Sequence, residues 1–476
     1  MRNKILISIL IFFILISFAG TAAAIDVKFH GNMWQTIGTT DYASTLQGGH
    51  KSGKTDFFSY NNMLNIEGDK GGYNFLDSKK NVSTFFGLTK ARLRCEATTD
   101  DGLAKFVYGL EVGTMNWGDK KENKGFGLSG DGVNQETRFA YLQLAIPGLG
   151  DNQLVRAGLQ PTKINQWVWS ETAAGLTYHG KHEEARWMLG WYRGDEDRAG
   201  NSKDDDYYVA KIEGKVLPDL TLGLFAIWAE LGDNNIAGNN IASADWTDTD
   251  VIEDTREYDA QYYYIGTTSN FDNGMLFGNY DFIYQGGDIE FIHDAGLAEA
   301  HDLDRKAWLG NLTLGYKFNN KFKLYGNVLY VSGDDDPNDN DAENFDSIDV
   351  DVKVGIIFFK DSLLADCDRY VSDAPYLQDK GLINYALTGE YKIDKNHHLR
   401  GAARYLQTAE DMKRFDKKEK DLGTEFDIWY TYKYNKYVKI KVEGAYLAAG
   451  KGADLLAASS DGGNVFKLAA GVQFKF

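Results

Sequence analysis

The sequence predicts an all-β protein: a transmembrane antiparallel β-barrel of roughly 18 strands, with 16 as the alternative count, short periplasmic turns and long extracellular loops. Three observations carry that prediction. Apolar and polar residues take turns at period two through segment after segment, which in a strand sends one set to each face. The connections between these segments alternate between short and long. An export-type leader opens the chain, and no apolar stretch of helix-spanning length follows it. A membrane protein built on such a chain must close as a barrel, because only closure pairs every backbone polar group.

The leader places Arg2 and Lys4 before an apolar run over 5–19 and the small residues Ala22, Ala23 and Ala24. This is the layout of a secretory signal peptide over 1–24 with an A-x-A cleavage site. The remainder, 25–476, reads as one barrel domain. No cysteine follows the apolar run, so a lipoprotein anchor is not expected.

The strands then fall at 27–39, 84–98, 103–117, 137–146, 153–160, 173–179, 185–192, 207–216 and 220–229. The set continues with 258–269, 275–285, 306–318, 321–332, 382–393, 398–408, 424–434, 437–448 and 464–476. Turns at 99–102, 319–320, 394–396 and 435–436 carry the Asp, Asn and Gly that favour sharp reversals. Long polar connections cover 42–82, 118–135, 231–257, 286–305 and 450–463. The segment 350–359 also looks like a strand, but counting it as spanning would carry the Asp394 turn to the long-loop rim. The stretch 333–381 therefore reads as one large loop, external or folded inward, with a local strand inside it. A loop of that length is expected to be functional.

Composition agrees with a single repetitive β unit. The chain is 14% aromatic, with 51 Gly and only 5 Pro, which suits long paired strands and tight turns. A mean hydropathy of −0.41 is compatible with a membrane location, since only every second strand residue need face lipid. The net charge of −18 sits largely in the loops, at Asp204, Asp205 and Asp206, over 245–259, and from Asp334 to Asp341. Cys95 falls at an apolar strand position and Cys367 in a loop, which argues against pairing even in an oxidising compartment.

If the apolar set faces lipid, its alternates line a lumen. Lys90, Arg92, Arg94 and Glu96 alternate with Ala91, Leu93 and Cys95. Lys105, Arg138, Arg156, Arg186, Arg400, Arg404, Lys439 and Lys441 take the same phase in their own strands, with Lys317, Lys323, Lys433, Lys467 and Lys475. The carboxylates there are fewer: Glu111, Asp281, Glu390, Glu425 and Asp427. An acidic protein is thus expected to carry a lumen that leans basic and to favour anions. The alternative is that these cations pair with carboxylates on neighbouring strands and stabilise the wall.

Other motifs carry less. The stretch 48–55, GGHKSGKT, fits a phosphate-loop pattern but lies in a polar loop with no helical pattern after it, so no nucleotide site is expected. Asp334, Asp335, Asp336, Asp339 and Asp341 offer oxygen ligands for weak Ca²⁺ binding, without the glycine and terminal glutamate of an EF-hand. His179, His182 and Glu183 do not form a zinc motif, and no Ser, His and Asp set stands out at short range, so neither a cofactor nor enzymatic activity is expected. Nothing suggests nucleic-acid binding.

The last strand alternates Phe466, Leu468, Ala470, Val472, Phe474 and Phe476 with Lys467, Ala469, Gly471, Gln473 and Lys475. It resembles the terminal signal by which bacterial outer-membrane proteins engage the barrel-assembly machinery. A wider resemblance rests on Ala91 to Glu96, Leu110 to Gly113 with Trp117, Arg138 to Leu142, Val155 to Gln160, Ser332 to Pro337, and 382–406. In these stretches the chain resembles the outer-membrane porins of deltaproteobacteria, the homotrimeric porin group, and also the alginate-export channel superfamily. The resemblance implies a water-filled barrel in the outer membrane of a Gram-negative bacterium, in contact with lipid and lipopolysaccharide and assembled as a trimer. It implies passive diffusion of small hydrophilic solutes and ions; in the exporter branch it implies passage of an anionic exopolysaccharide. Carried over residue by residue, it marks Arg92, Arg94, Arg138, Arg156, Arg400 and Arg404. A barrel serving adhesion or surface structure is the remaining reading.

Overall fold

Period-two alternation becomes strand pairing among the described residues. The computed structural model describes residues 25–43, 81–118, 135–148, 152–194, 204–237, 255–291, 302–336, 339–364, 374–377, 380–414, 417–456 and 464–476. The leader, the 48–55 motif and Cys367 lie outside the described residues. The first nine strands are β1 (Ile25–Ala43), β2 (Asn81–Thr99), β3 (Ala104–Asn116), β4 (Gln135–Ala145), β5 (Leu154–Pro161), β6 (Thr172–His182), β7 (Ala185–Arg193), β8 (Asp206–Leu217) and β9 (Leu220–Ala237). The second nine are β10 (Thr255–Asp272), β11 (Leu276–Phe291), β12 (Leu303–Lys317), β13 (Phe322–Val331), β14 (Leu382–Lys392), β15 (His397–Arg414), β16 (Lys417–Lys433), β17 (Val438–Ala449) and β18 (Val465–Lys475). Each pairs antiparallel with its sequence neighbour, and β18 returns to β1 from Asn32↔Lys475 to Asp41↔Phe466. The result is a closed antiparallel barrel of 18 strands. Closure leaves no sheet edge unpaired, which a wall in lipid requires.

Register separates the two faces. Leu224, Leu314, Leu387, Phe426 and Leu468 point outward and stay exposed, as lipid-facing residues should. Aromatic side chains form rows at two levels of this outer surface. Toward the long-loop end Trp191 opposes Tyr208, Tyr208 opposes Trp228, Trp228 opposes Tyr263, and Tyr284 opposes Trp308. At the short-turn end Tyr432, Tyr434, Tyr437, Phe474 and Phe476 cluster. Two girdles flanking an apolar band are the signature of a wall spanning a bilayer.

The seam between β18 and β1 ends on Phe476. Gly31 and Phe476 exchange two backbone hydrogen bonds of 3.0 Å, and the Phe476 ring lies over Gly31, where an added Cβ would stand 2.1 Å from it. The terminal ring thus covers a glycine across the closing strand pair. Gly31→Val should displace the ring and destabilise the seam by about 1–3 kcal/mol, as overpacking does. The expected readout is a lower temperature for the heat-dependent mobility shift of the barrel in detergent electrophoresis.

Two connections at the long-loop end fold into the barrel. The first, 162–171, is closed at its neck by Thr162, whose N–H and hydroxyl both donate to the Glu171 carbonyl (2.7 and 2.8 Å). The second runs from Ser332 to Gly381. Its neck is narrow: Val331 pairs with Leu382, and Gly381 adopts φ 63°, where a Cβ would meet the Val331 carbonyl at 2.3 Å. The two join where the Ile348 N–H donates to the Val168 carbonyl (2.8 Å) and the Ser170 N–H to that of Asp349 (2.9 Å).

Together they fill one side of the lumen with an apolar core. Ile164, Val168, Trp169, Phe345, Ile356, Ile357, Phe358 and Phe359 pack with inward residues of β7 to β13, including Tyr192, Phe225, Ile227, Tyr264, Ile283, Leu309 and Leu329, and with Leu406, Leu422, Leu447 and Val465 at the long-loop ends of β15 to β18. Of the two courses left open for 333–381, external or inward, the structure shows the inward one, and the local strand expected over 350–359 is absent. That segment is irregular, because its apolar side chains find the barrel wall and not a partner strand; among the described residues of the loop, the only strand is the two-residue Asp341–Ala342, parallel to β12.

Candidate functional site

Filling one side leaves open space against the other. A cavity of about 480 Å³ lies between the long loop and the inward faces of β1 to β3 and β14 to β17. Lys90, Arg92, Lys353, Lys360, Arg400 and Lys441 supply six basic side chains to it, and Asp351, Asp361, Glu390 and Glu443 supply four carboxylates. Trp34 and Trp429 line it too. Arg92 lies over the Trp34 ring at 5.4 Å and Arg400 over the Trp429 ring at 3.6 Å, cation–π contacts that hold both guanidinium groups flat.

The loop is fixed to this wall by charged hydrogen bonds. Glu425 accepts from the Ile357 N–H at 2.8 Å, and Lys467 donates to the Ile356 carbonyl at 2.9 Å. Glu443 accepts from the Ser362 hydroxyl (2.6 Å) and the Leu363 N–H (2.7 Å). Arg400 pairs with Asp361 at 2.5 Å, and the Trp429 Nε1–H donates to the Asp361 carbonyl at 3.0 Å. Backbone groups that the irregular loop leaves unpaired are thus satisfied by wall side chains.

The predicted lumen residues all take the inward phase, but the structure does not gather them. Arg92, Arg400 and Lys441 line the cavity. Glu111 is buried behind it, held by Lys90 at 2.6 Å, by Arg138 at 2.7 Å and by Arg92. Arg94 and Lys105 share Glu96 (2.9 and 3.2 Å), and Arg186 pairs with Glu213 at 2.9 Å. Arg156 donates to Gln143 at 3.0 Å. Arg404 is buried against Asp427 at 2.9 Å, beneath the loop and away from the cavity. Among the described residues, Lys439, Lys441 and Lys353 make no ion pair. The basic surplus is therefore narrower than a residue count suggests, since most lumen cations are matched by carboxylates.

Glu111→Gln should leave Lys90, Arg92 and Arg138 facing one another without the carboxylate they share. Removing one partner from a buried charge cluster destabilises by about 3–5 kcal/mol. Urea unfolding in detergent should show that loss, and reversal potentials should move toward anions.

The acidic run is engaged in local contacts. Of the acidic run, Asp341 pairs with Lys306 at 2.6 Å, Asp339 accepts from the Asp341 N–H at 2.8 Å, and the Asp334 carbonyl accepts from Lys380 at 2.7 Å. Among the described residues no three His, Cys, Asp or Glu side chains converge to hold a metal ion. Cys95 sits on the outer face of β2 opposite Phe29 and Tyr108, as a free thiol.

The residues that sequence reasoning missed come from loops. Lys353, Lys360, Asp351 and Asp361 reach the cavity only because the long loop folds inward. Glu171, at the neck of the shorter loop, is 3.8 Å from Arg138. Burial, with Asp351 and Asp349 nearby, pushes its carboxyl up to about 7. Burial acts on Asp351 in the same direction, but Lys360 at 2.5 Å holds it below the usual carboxylate range.

No family model matches the chain, and no curated protein matches it in sequence. Solved structures do. OccK8 (OprE) of Pseudomonas aeruginosa superposes with a TM-score of 0.53 at 11% identity, over 95% of this chain and 98% of that one. OpdL of Pseudomonas aeruginosa gives 0.51 at 10% identity, over 95% and 99%. OccAB4 of Acinetobacter baumannii gives 0.50 at 10% identity, over 94% and 98%. The chain has the fold of the Occ outer-membrane channels. The barrel expected from the porin resemblance is thus present, while the narrower homotrimeric-porin and alginate-export groups are matched by no family model.

Proposed function

We propose that this protein is an outer-membrane diffusion channel for small hydrophilic solutes and ions, with a bias toward anions set at the off-centre cavity. The observation that carries the reading is a closed barrel whose inward loops leave a cavity lined by six basic side chains and four carboxylates. Charged rings at a narrow point bias ion selectivity. Lys353 and Lys441, which line the cavity without making an ion pair, supply the excess. The aromatic girdles and the Occ-like fold support a Gram-negative outer membrane as its place. Lipid, lipopolysaccharide, the assembly machinery that reads the last strand, and a homotrimer are its partners in this reading.

The geometry counts against a polysaccharide exporter, because both loops are tied to the wall across part of the lumen. Planar-bilayer recording of the purified barrel tests the proposal. Steady conductance with reversal potentials shifted toward anions is expected. A silent barrel would fit an adhesin, and steady conductance blocked by an anionic polymer would fit an exporter.

A further inference from the structure

We infer that Lys433, Lys439, Lys441 and Lys475, at the short-turn mouth of the lumen, form a binding site for a compact multivalent anion of the phosphate class. The inference rests on the channel reading above, since a solute must reach this mouth, and adds to it the kind of solute held there. Its basis is strand register. Lys433 of β16 stands directly opposite Lys439 of β17. Lys439 stands opposite Gln473 of β18, which places Lys475 diagonal to it, and Lys441 follows two residues along β17 on the same face. Directly opposed side chains start from Cβ atoms about 5 Å apart, and diagonal ones from about 7–8 Å. This face is the lumenal one: Thr431, Lys441 and Arg92 line the cavity, and Asn32 stands opposite both Arg92 and Lys475.

Like charges directly opposite each other destabilise a sheet, and no carboxylate relieves this group. Among the described residues none of the four lysines makes an ion pair. The carboxylates in the same part of the lumen are engaged elsewhere. Glu96 is held by Arg94 and Lys105, and Glu390 by Lys323 at 2.9 Å. Asp361 is held by Arg400, and Glu443 by the Ser362 hydroxyl and the Leu363 N–H. Lys433, Lys439 and Lys475 are exposed, so a dissolved anion reaches them.

The cations left free also decide the class of anion. A guanidinium group grips a planar carboxylate with two parallel N–H groups. Here Arg92 is already held by Glu111 and lies over Trp34, and Arg400 is held by Asp361 and lies over Trp429. What remains is ammonium, a compact point charge on a flexible stem, which responds to the charge and size of an anion and not to a planar fork. A monovalent anion satisfies one such charge. A phosphate or diphosphate group satisfies the opposed pair together with its diagonal neighbour.

Equilibrium dialysis of radiolabelled pyrophosphate against the purified full-length barrel in detergent tests the site without requiring conduction. Acetate serves as the monovalent competitor, and the paired variants Lys439→Gln/Lys475→Gln and Lys439→Arg/Lys475→Arg are measured beside the wild type, each first shown to be folded by its heat-dependent mobility shift. The wild type should bind pyrophosphate saturably, and acetate at equal concentration should not displace it. The glutamine pair should bind about tenfold more weakly or worse, because two charges acting at about 5 Å in water are lost, while the arginine pair should retain binding. Wild-type affinity should fall steeply toward about 1 M salt, where the screening length is about 3 Å. Absence of saturable binding, equal binding by the glutamine pair, or displacement by acetate overturns the inference. Planar-bilayer recording separates the two readings. A conducting barrel that does not bind pyrophosphate loses the site and keeps the channel reading; a silent barrel that binds it keeps the site and loses the channel reading.

Discussion

Excising residues 334–380 should raise the unitary conductance several-fold without preventing barrel closure. Val331 and Leu382 are already paired, so Ser332, Gly333 and Gly381 can connect β13 to β14 as a short hairpin. What the excision removes is the packing on one side of the lumen. Inward residues such as Tyr264, Ile283, Leu309 and Leu329 would then face water, at a cost of about 1.5–3 kcal/mol for each large side chain wetted. A wider, less stable and less selective channel is the expected phenotype. Single-channel recording and thermal unfolding in detergent would measure both parts. Unchanged conductance would mean that the long loop does not restrict the passage.

The double reversal Arg400→Glu with Lys441→Glu should turn the channel toward cations. Each charge at about 8 Å in water acts on a monovalent ion with roughly 0.5 kcal/mol, so reversing two, a change of about four unit charges, should shift the permeability of a given ion by about 2 kcal/mol, or roughly thirtyfold, at low salt. The effect should nearly vanish at about 1 M salt, where the screening length falls to about 3 Å. The reversed side chain at 400 would also repel Asp361 and loosen the loop anchor. Arg404→Gln is the informative contrast. Arg404 is buried against Asp427 and does not line the cavity, so its loss should lower stability and leave selectivity nearly unchanged.

The wall was legible in the sequence because lipid on one side and water or polar loops on the other force strict alternation. All eighteen segments read from that rhythm coincide with strands, and parity alone placed the large loop between β13 and β14. The off-centre passage was harder to see. Its signal is apolarity in both phases of one strand: Phe225, Ile227 and Ala229 inward against Leu224, Ala226 and Trp228 outward in β9. Such a strand has lipid on one face and a packed loop on the other. The alternative reading, in which inward cations pair with carboxylates and stabilise the wall, describes Arg94, Arg186 and Arg404, which Glu96, Glu213 and Asp427 occupy. Lys353 and Asp361 could not be placed from periodicity, because their positions are fixed by distant anchors such as Glu425 and Glu443.

The central claim is that water and ions reach the cavity beside β1 to β3 and the short-turn halves of β14 to β17, while the inward faces of β7 to β13 are closed by loops. Thiol accessibility tests it most directly, with single cysteines at Lys441 and Ile283 in a background carrying Cys95→Ser and Cys367→Ser. Both positions face inward, yet only Lys441 borders the cavity, and Ile283 is fully buried. A charged, water-soluble thiol reagent should modify Lys441→Cys rapidly and reduce its current, and should leave Ile283→Cys untouched. Equal labelling of the two, or labelling of Ile283→Cys alone, would contradict the account.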